Sequence, residues 1–228
     1  ELYRRIGQDI CLSQCTSCGE VVDPYIEFEI LLVFIDMQLM RKEVYRHVLF
    51  NRLEAAVLAR EASRFLLLCF LLDAHACWST MRGSATAGVE PTMFGWLRQA
   101  AGDWAVVGAT FAETAVYMLT LSLAAAIFQP KLSELASLSW HARIWEAISV
   151  SSFGKIYTLV PTIWSSFSSD AGAVDQAIAV ALSFFVALAN VLALRTVLED
   201  RDYKRAAVAV TLAYIARAVS RHLLQTQT

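Results

Sequence analysis

The chain has 228 residues, 57% of them hydrophobic and 18% charged, with a mean hydropathy of +0.49. This composition excludes a disordered chain, and it supplies too little charge to cover a soluble domain, which averages roughly 45–50% apolar and about 25% charged residues; a polytopic membrane protein is expected. A net charge of −2 excludes nucleic-acid binding of the electrostatic kind.

Residues 1–63 hold much of the basic charge and are read as a small cytosolic head. Three of the five cysteines, Cys11, Cys15 and Cys18, crowd into this region. An odd count in a tight cluster argues against a disulfide framework and for a metal knuckle in a reducing compartment. Cys15-Thr16-Ser17-Cys18-Gly19 has the spacing at which two thiolates can face one tetrahedral ion, with Gly19 free to adopt the turn that aims amides at sulfur. A single pair is half a zinc site. Cys11 is a nearby third ligand and His47 a remote one, and two unmetallated thiols are the alternative. The sequence opens on Glu1 rather than Met and shows no leader, so upstream sequence is expected to be missing.

Ile30–Met40 is apolar but too short to cross a membrane, and it contains Asp36. It is read as a buried or interface-lying helix that runs into Arg41–Arg64, a basic amphipathic stretch with Glu43, Glu54 and Glu61, suited to anionic headgroups. Within it, His47 and Asn51 are four residues apart and share a helical face that could meet a headgroup or a partner protein. The plainer alternative is that Arg46 and His47 bind phosphates unspecifically while Asn51 bonds locally.

From residue 64 onwards the chain is a series of apolar runs. About 20 residues cross the roughly 30 Å of hydrocarbon, and four spans are expected at about 64–81, 104–128, 145–164 and 173–194. Residues 206–224 either span or lie in the interface, because Arg217 and Arg221 make the last two turns amphipathic. Trp78, Trp104, Trp140, Trp145 and Trp164 fall at or near span ends, where indoles prefer the headgroup region. With four spans and a cytosolic N-terminus, fourteen basic residues lie on the cytosolic side and two, Arg82 and Arg98, on the other.

Ionisable residues inside spans cost roughly 2.5–3.5 kcal/mol each at mid-membrane unless they find a partner or a wet cavity. Asp73, Glu113 and Lys155 lie well inside their segments, and Lys155 is expected to pair with Glu113 or Asp73, either structurally or along a polar path for a lipid headgroup. Gly108 with Ala112, and the small residues around Gly154, would permit close helix packing. No Gly-x-Ser-x-Gly elbow or other nucleophile–base motif is present, and the chain is expected not to be an enzyme.

Cys15-x-x-Cys18-Gly19, Val22-Asp23-Pro24-Tyr25-Ile26-Glu27, Ile35-Asp36 and Tyr45-Arg46-His47-Val48-Leu49-Phe50-Asn51 closely resemble the Arv family, the ACAT-related proteins required for viability. Ser151-Ser152-Phe153-Gly154-Lys155 and Trp164 resemble a later family segment. The resemblance implies an all-α polytopic bundle of four or five spans behind a zinc-knuckle-like homology head. It also implies residence in the endoplasmic-reticulum membrane with a cytosolic N-terminus. Family members carry two Cys-x-x-Cys pairs; the second matches Cys15 and Cys18, and the first would lie ahead of Glu1, so that zinc is the implied cofactor. The implied function is support of sterol and other lipid transport, including handling of lipid precursors for glycosylphosphatidylinositol synthesis. The alternative is a non-catalytic accessory subunit of a membrane glycosyltransferase complex. Expected partners are therefore membrane lipids and, in the accessory reading, glycosyltransferase subunits, with no nucleic acid. Asp23, Tyr25, Asp36, Tyr45, Arg46, His47 and Asn51 are the candidate contacts to a headgroup or partner.

Overall fold

The structure is a computed structural model that describes residues 3–6, 9–52, 55–85, 93–128, 138–159, 172–198 and 203–225. The chain divides into two compact units, Glu1–Leu58 and Ala59–Thr228.

The first unit opens with two short antiparallel strands, β1 (Tyr3–Ile6) and β2 (Asp9–Leu12), with Tyr3 opposite Leu12 and Ile6 opposite Asp9. The all-α expectation concerned the membrane bundle; these strands of the head were not foreseen, because four residues are too short for their alternation to register in the sequence. Beyond them, an isolated bridge between Gln14 and Val21 closes the base of the Cys15–Cys18 turn. Asp23 then caps a 3-10 turn, Pro24–Glu27, by accepting the Tyr25 amide at 3.0 Å, with Pro24 at the position where its missing N–H costs nothing.

Helix α1 (Ile30–Gln38) ends in a Schellman motif: the Met40 amide bonds the Met37 carbonyl at 3.1 Å and the Arg41 amide bonds the Asp36 carbonyl at 3.2 Å. Met40 takes the left-handed conformation, φ 55°, that glycine usually supplies here. The chain thereby reverses into α2 (Lys42–Arg46), whose continuation widens into a π-helical turn, His47–Asn51, closed by the Arg52 amide on the His47 carbonyl at 2.9 Å.

The second unit is helical in nearly all its described residues: α3 (Ala55–Ala85, which begins just before the unit does), α4 (Met93–Phe128), α5 (Leu138–Ser151) continuing as a 3-10 helix (Ser152–Thr158), α6 (Gly172–Val197) and α7 (Tyr203–Gln225). Residue pairings fix their directions. Cys69 and Asp73 of α3 meet Ser152 and Lys155 in rising order, so α3 and the α5 segment are parallel. Ser151 meets Asn190 while Gly154 meets Phe185 and Val186, so α6 runs the other way. Tyr117 packs on Tyr214 and Glu113 pairs with Arg221, so α4 and α7 are antiparallel. Trp145 of α5 donates to Ser122 of α4 at 2.9 Å while Ser151 and Tyr117 both meet Asn190, so α4 and α5 are antiparallel and successive helices alternate in direction.

Between them lies a core of Leu121, Ile144, Ile148 and Leu194, all essentially inaccessible. Ala206, Ala209 and Ala213 of α7 join that core with Leu121, Ala124 and Ala125 of α4, and such small residues let two backbones approach closely. The outward surfaces are apolar instead of charged: Leu67 and Leu71 on α3, Phe111, Leu123 and Ile127 on α4, Val180 and Phe184 on α6, and Ile215, Val219 and Leu223 on α7 are all exposed.

Among the described residues, two helices are long and apolar enough to cross a membrane by length and composition, Trp104–Phe128 and Ala177–Val197. The first coincides with the expected span at 104–128 and the second overlaps that at 173–194. The expected spans at 64–81 and 206–224 fall within α3 and α7, neither of which meets that test. The span expected at 145–164 is not one α-helix. Its winding tightens at Ser152, where Ser151 bonds back to the Ile148 carbonyl at 3.2 Å and across to Asn190 at 2.6 Å, competing with the helical ladder. Residues 160–164, including Trp164, lie outside the described residues.

Gly154 is required by this crossing. A Cβ there would approach Phe185 Cδ1 to 2.8 Å and Val186 Cγ2 to 3.0 Å, so Gly154→Ala is expected to destabilise the bundle by about 1–3 kcal/mol through overpacking. Thermal unfolding in detergent checks this, and Phe185→Leu should restore much of the loss.

Candidate functional site

Asp23 is 5% exposed and organises the interior of the first unit. One carboxylate oxygen takes the Tyr25 amide; the other takes His47 Nδ1 at 2.8 Å and the Asn51 side-chain amide. His47 and Asn51 share a face, as their spacing requires, and the π-helical turn directs both at a residue 24 and 28 positions earlier. Burial pushes the Asp23 carboxyl up, but His47, Asn51 and the Tyr25 amide together outweigh it and hold the group below the ordinary carboxylate value.

The same arrangement continues through Tyr25, whose hydroxyl donates to Asp36 at 2.8 Å, while Arg41 lies 3.4 Å from the same Asp36 oxygen. Burial, then the hydrogen bond to Asp36, raises the Tyr25 hydroxyl above its usual value. Tyr45 is fully buried, reaches the Met37 carbonyl at 3.3 Å, and is raised by burial alone. Of the seven residues expected to meet a headgroup or partner, Arg46 is exposed and Asn51 partly so; Asp23, Tyr25, Asp36, Tyr45 and His47 are buried. The polar groups of Asp23, Tyr25, Asp36, Tyr45, His47 and Asn51 bond within the unit and hold α1, the π-turn and the 3-10 turn in register. Neither sequence reading of His47 and Asn51 named this acceptor: both side chains bond Asp23, within the same unit.

The knuckle has the local form a metal-binding pair needs. Gly19 has φ +73°, and its amide bonds the Cys15 carbonyl at 2.9 Å. The Ser17 and Cys18 amides reach the Cys15 sulfur and lower its thiol. Cys15 is half-buried and Cys18 exposed. Two thiols fit half of a tetrahedral zinc site. Cys11 lies in β2 opposite Arg4, with its side chain outside the described residues. Among the described residues no group of three or more His, Cys, Asp or Glu comes together as a metal site.

In the second unit, charge collects at one level. Lys155 Nζ lies 2.7 Å from Asp73 Oδ2, and Arg217 lies 2.9 Å from that same oxygen. Arg217 also reaches Glu113 at 3.5 Å, and Arg221 bonds both Glu113 oxygens, the shortest at 2.8 Å. Lys155 therefore finds Asp73, while Glu113 is taken by α7. Arg217 and Arg221 turn the polar side of α7 into the bundle and leave Ile215, Val219 and Leu223 outside. Beside this cluster Asn190 accepts from Ser151 and donates to Tyr117 at 3.0 Å. Asn190, Tyr117 and Arg217 were not singled out in sequence as site residues; one Asn within an otherwise apolar span was the available signal.

The cluster borders a cleft of about 420 Å³. Asp73, Lys155, Arg217 and Arg221 form its polar wall, and Leu182 and Val186 of α6 contribute to an apolar one. Glu113 is 6% exposed, whereas the Arg221 side chain is 51% exposed. Three cations face two carboxylates, so the five residues carry one positive charge in excess. At the opposite end of the unit lie Arg60, Arg64, Arg143, Arg195, Lys204 and Arg205, with Arg195 stacked 3.7 Å from the Tyr203 ring centre.

The chain matches the Arv1-like family over residues 1–194. It is 25% identical to the Protein arv1 homolog of Dictyostelium discoideum over 217 residues, covering 90% of this chain and 82% of that protein. It is 37% identical to Protein arv1 of Schizosaccharomyces pombe over 83 residues, 36% of this chain and 31% of that protein. Protein ARV1 of Mus musculus is 24% identical over 165 residues, 72% of this chain and 59% of that protein. No solved structure matches.

Proposed function

The chain belongs to the Arv1-like family, and from that premise we propose that it is a multi-pass protein of the endoplasmic-reticulum membrane that supports movement of sterols and other lipids, including precursors of glycosylphosphatidylinositol. The carrying observation is the half-exposed Arg221, held on Glu113 at the edge of a cleft with one polar and one apolar wall. A charge excess of this kind inside an apolar bundle is costly, and an anionic headgroup entering the cleft would offset it while its chain lies along α6. In this reading the alternating α3, α4, α5 with its 3-10 extension, α6 and α7 are five passes. The end carrying Arg60, Arg64, Arg143, Arg195, Lys204 and Arg205 faces the cytosol. Zinc, held by Cys15 and Cys18 with two further ligands, would act as a structural clamp on the knuckle. The protein's role is transport or presentation of lipid, not covalent chemistry.

The test is flux of a fluorescent anionic phospholipid in liposomes containing only this protein. Arg221→Gln leaves Glu113 paired with Arg217 and is expected to slow flux roughly tenfold, the equivalent of about 1.4 kcal/mol. Equal flux in wild type and variant would remove the cleft from the pathway. Absence of flux together with stoichiometric co-purification with a glycosyltransferase would favour the accessory-subunit reading instead.

A further inference from the structure

Helix α1 presents an exposed apolar surface. Ile30 (71% exposed), Leu31 (64%), Leu32, Phe34, Ile35 and Leu39 (63%) are all exposed, and Phe28 extends the surface. At 100° per residue these positions sweep an arc of roughly 200°. The remaining arc holds Val33, Asp36 and Met37, which are buried. That inner face is pinned by the Tyr25–Asp36 bond, the Arg41–Asp36 pair, the Tyr45 bond to the Met37 carbonyl and the Schellman turn at Met40. The helix is therefore braced from inside by polar groups while it shows hydrocarbon outward, the inverse of a water-exposed helix.

We propose that α1 is a monotopic anchor, inserted among the acyl chains of one leaflet with its axis in the membrane plane. Three observations favour lipid over a protein partner. The exposed arc is about twice as wide as the stripe a helix buries against a single neighbour. Its large residues are Ile, Leu and Phe, without the Tyr, Trp and Arg anchors that concentrate binding energy in protein interfaces. The chain leaving its C-terminal end carries exposed Arg41, Lys42 and Arg46, placed for lipid phosphates at the level of the headgroups. At nine residues the helix is about 14 Å long, less than half of the hydrocarbon thickness of roughly 30 Å, so it lies in the leaflet and does not cross it. The head is then a membrane-embedded module instead of a soluble appendage, which goes beyond the transport reading and does not depend on it.

The experiment uses the full chain in phosphatidylcholine vesicles containing 20–30%, roughly a physiological anionic share, of phosphatidylserine. Leu31→Trp and Ile35→Trp are each compared with wild type, so that the difference emission reports the added indole. The expected result is a blue-shifted signal, largely lost when the lipid carries bromine on its acyl chains and little affected by aqueous iodide. Quenching by iodide but not by brominated lipid would place α1 in water and overturn the proposal. Resistance to both quenchers would mean that α1 is covered by protein, and would overturn it equally. Flux is not read, so failure here is separate from failure of the cleft.

Discussion

Replacing Asp23 by Ala is expected to unfold the head within the 228-residue chain. Asp23 accepts hydrogen bonds from the Tyr25 amide, His47 Nδ1 and the Asn51 amide, and its removal strands all three donors. Each buried group left unmet costs about 1–3 kcal/mol. The sum rivals the whole stability of a domain of this size, of which about 5 kcal/mol is typical at the low end. Hydrogen exchange should show protection lost together across α1, α2 and the π-turn, with α4 and α6 unchanged. Asp23→Asn keeps the volume and is expected to cost less.

The same carboxylate sets an acid limit. Its folded value lies below the ordinary one, so its contribution is complete above the unfolded value of about 3.9 and is lost as pH falls through the lower folded value. Protection of the head should therefore hold from neutral pH down to about pH 4 and decline below it. In Asp23→Asn that decline should be shallower. A head equally protected in Asp23→Ala and wild type would show that the network is incidental to the fold.

The second large effect is expected in the bundle. Asp73→Leu removes the carboxylate shared by Lys155 and Arg217 and raises the charge excess of the cluster from one to two. On insertion scales each unmatched charge costs roughly 2.5–3.5 kcal/mol, and the variant should lose most of its monodisperse yield. Lys155→Met has the opposite sign in charge, leaving two arginines on two carboxylates, and should be mild. Combining the two returns the excess to one and should recover much of what Asp73→Leu alone loses. Thermal scans of the three proteins in detergent decide it: if Asp73→Leu is no worse than Lys155→Met, charge balance does not govern the cluster.

These two sites differ in how far the sequence disclosed them. The apolar run at Trp104–Phe128 was legible as a helix ending at Phe128, although α4 begins earlier, at Met93. Asp73, Glu113 and Lys155 were legible as costly charges, and Arg217 with Arg221 as a polar face on an apolar helix. Which carboxylate each cation chooses depends on helix order and direction, which local periodicity does not encode. The break at Ser152 was hidden because Ser-Ser-Phe-Gly reads as helix-compatible until Asn190 of another helix competes for the hydroxyls. In the head the i,i+4 spacing of His47 and Asn51 was visible, but their acceptor stands 24 and 28 residues away. Most of the candidate residues also frame the interior of the unit, and the apolar surface of α1 is its outward feature.

The alternating directions of α3 to α7 also carry a consequence for compartments. Five is an odd number, so a chain that makes five passes begins and finishes on different sides of its membrane. In the five-pass reading proposed above, the start of α3 and the end of α7 would belong to separate chemical environments, one reducing and one able to glycosylate. A glycosylation acceptor appended after Gln225 should be modified in cells, whereas one placed between α4 and α5 should not. Arg221, four residues from the end of α7, would in that reading meet lipid of the leaflet farther from Arg60 and Arg64.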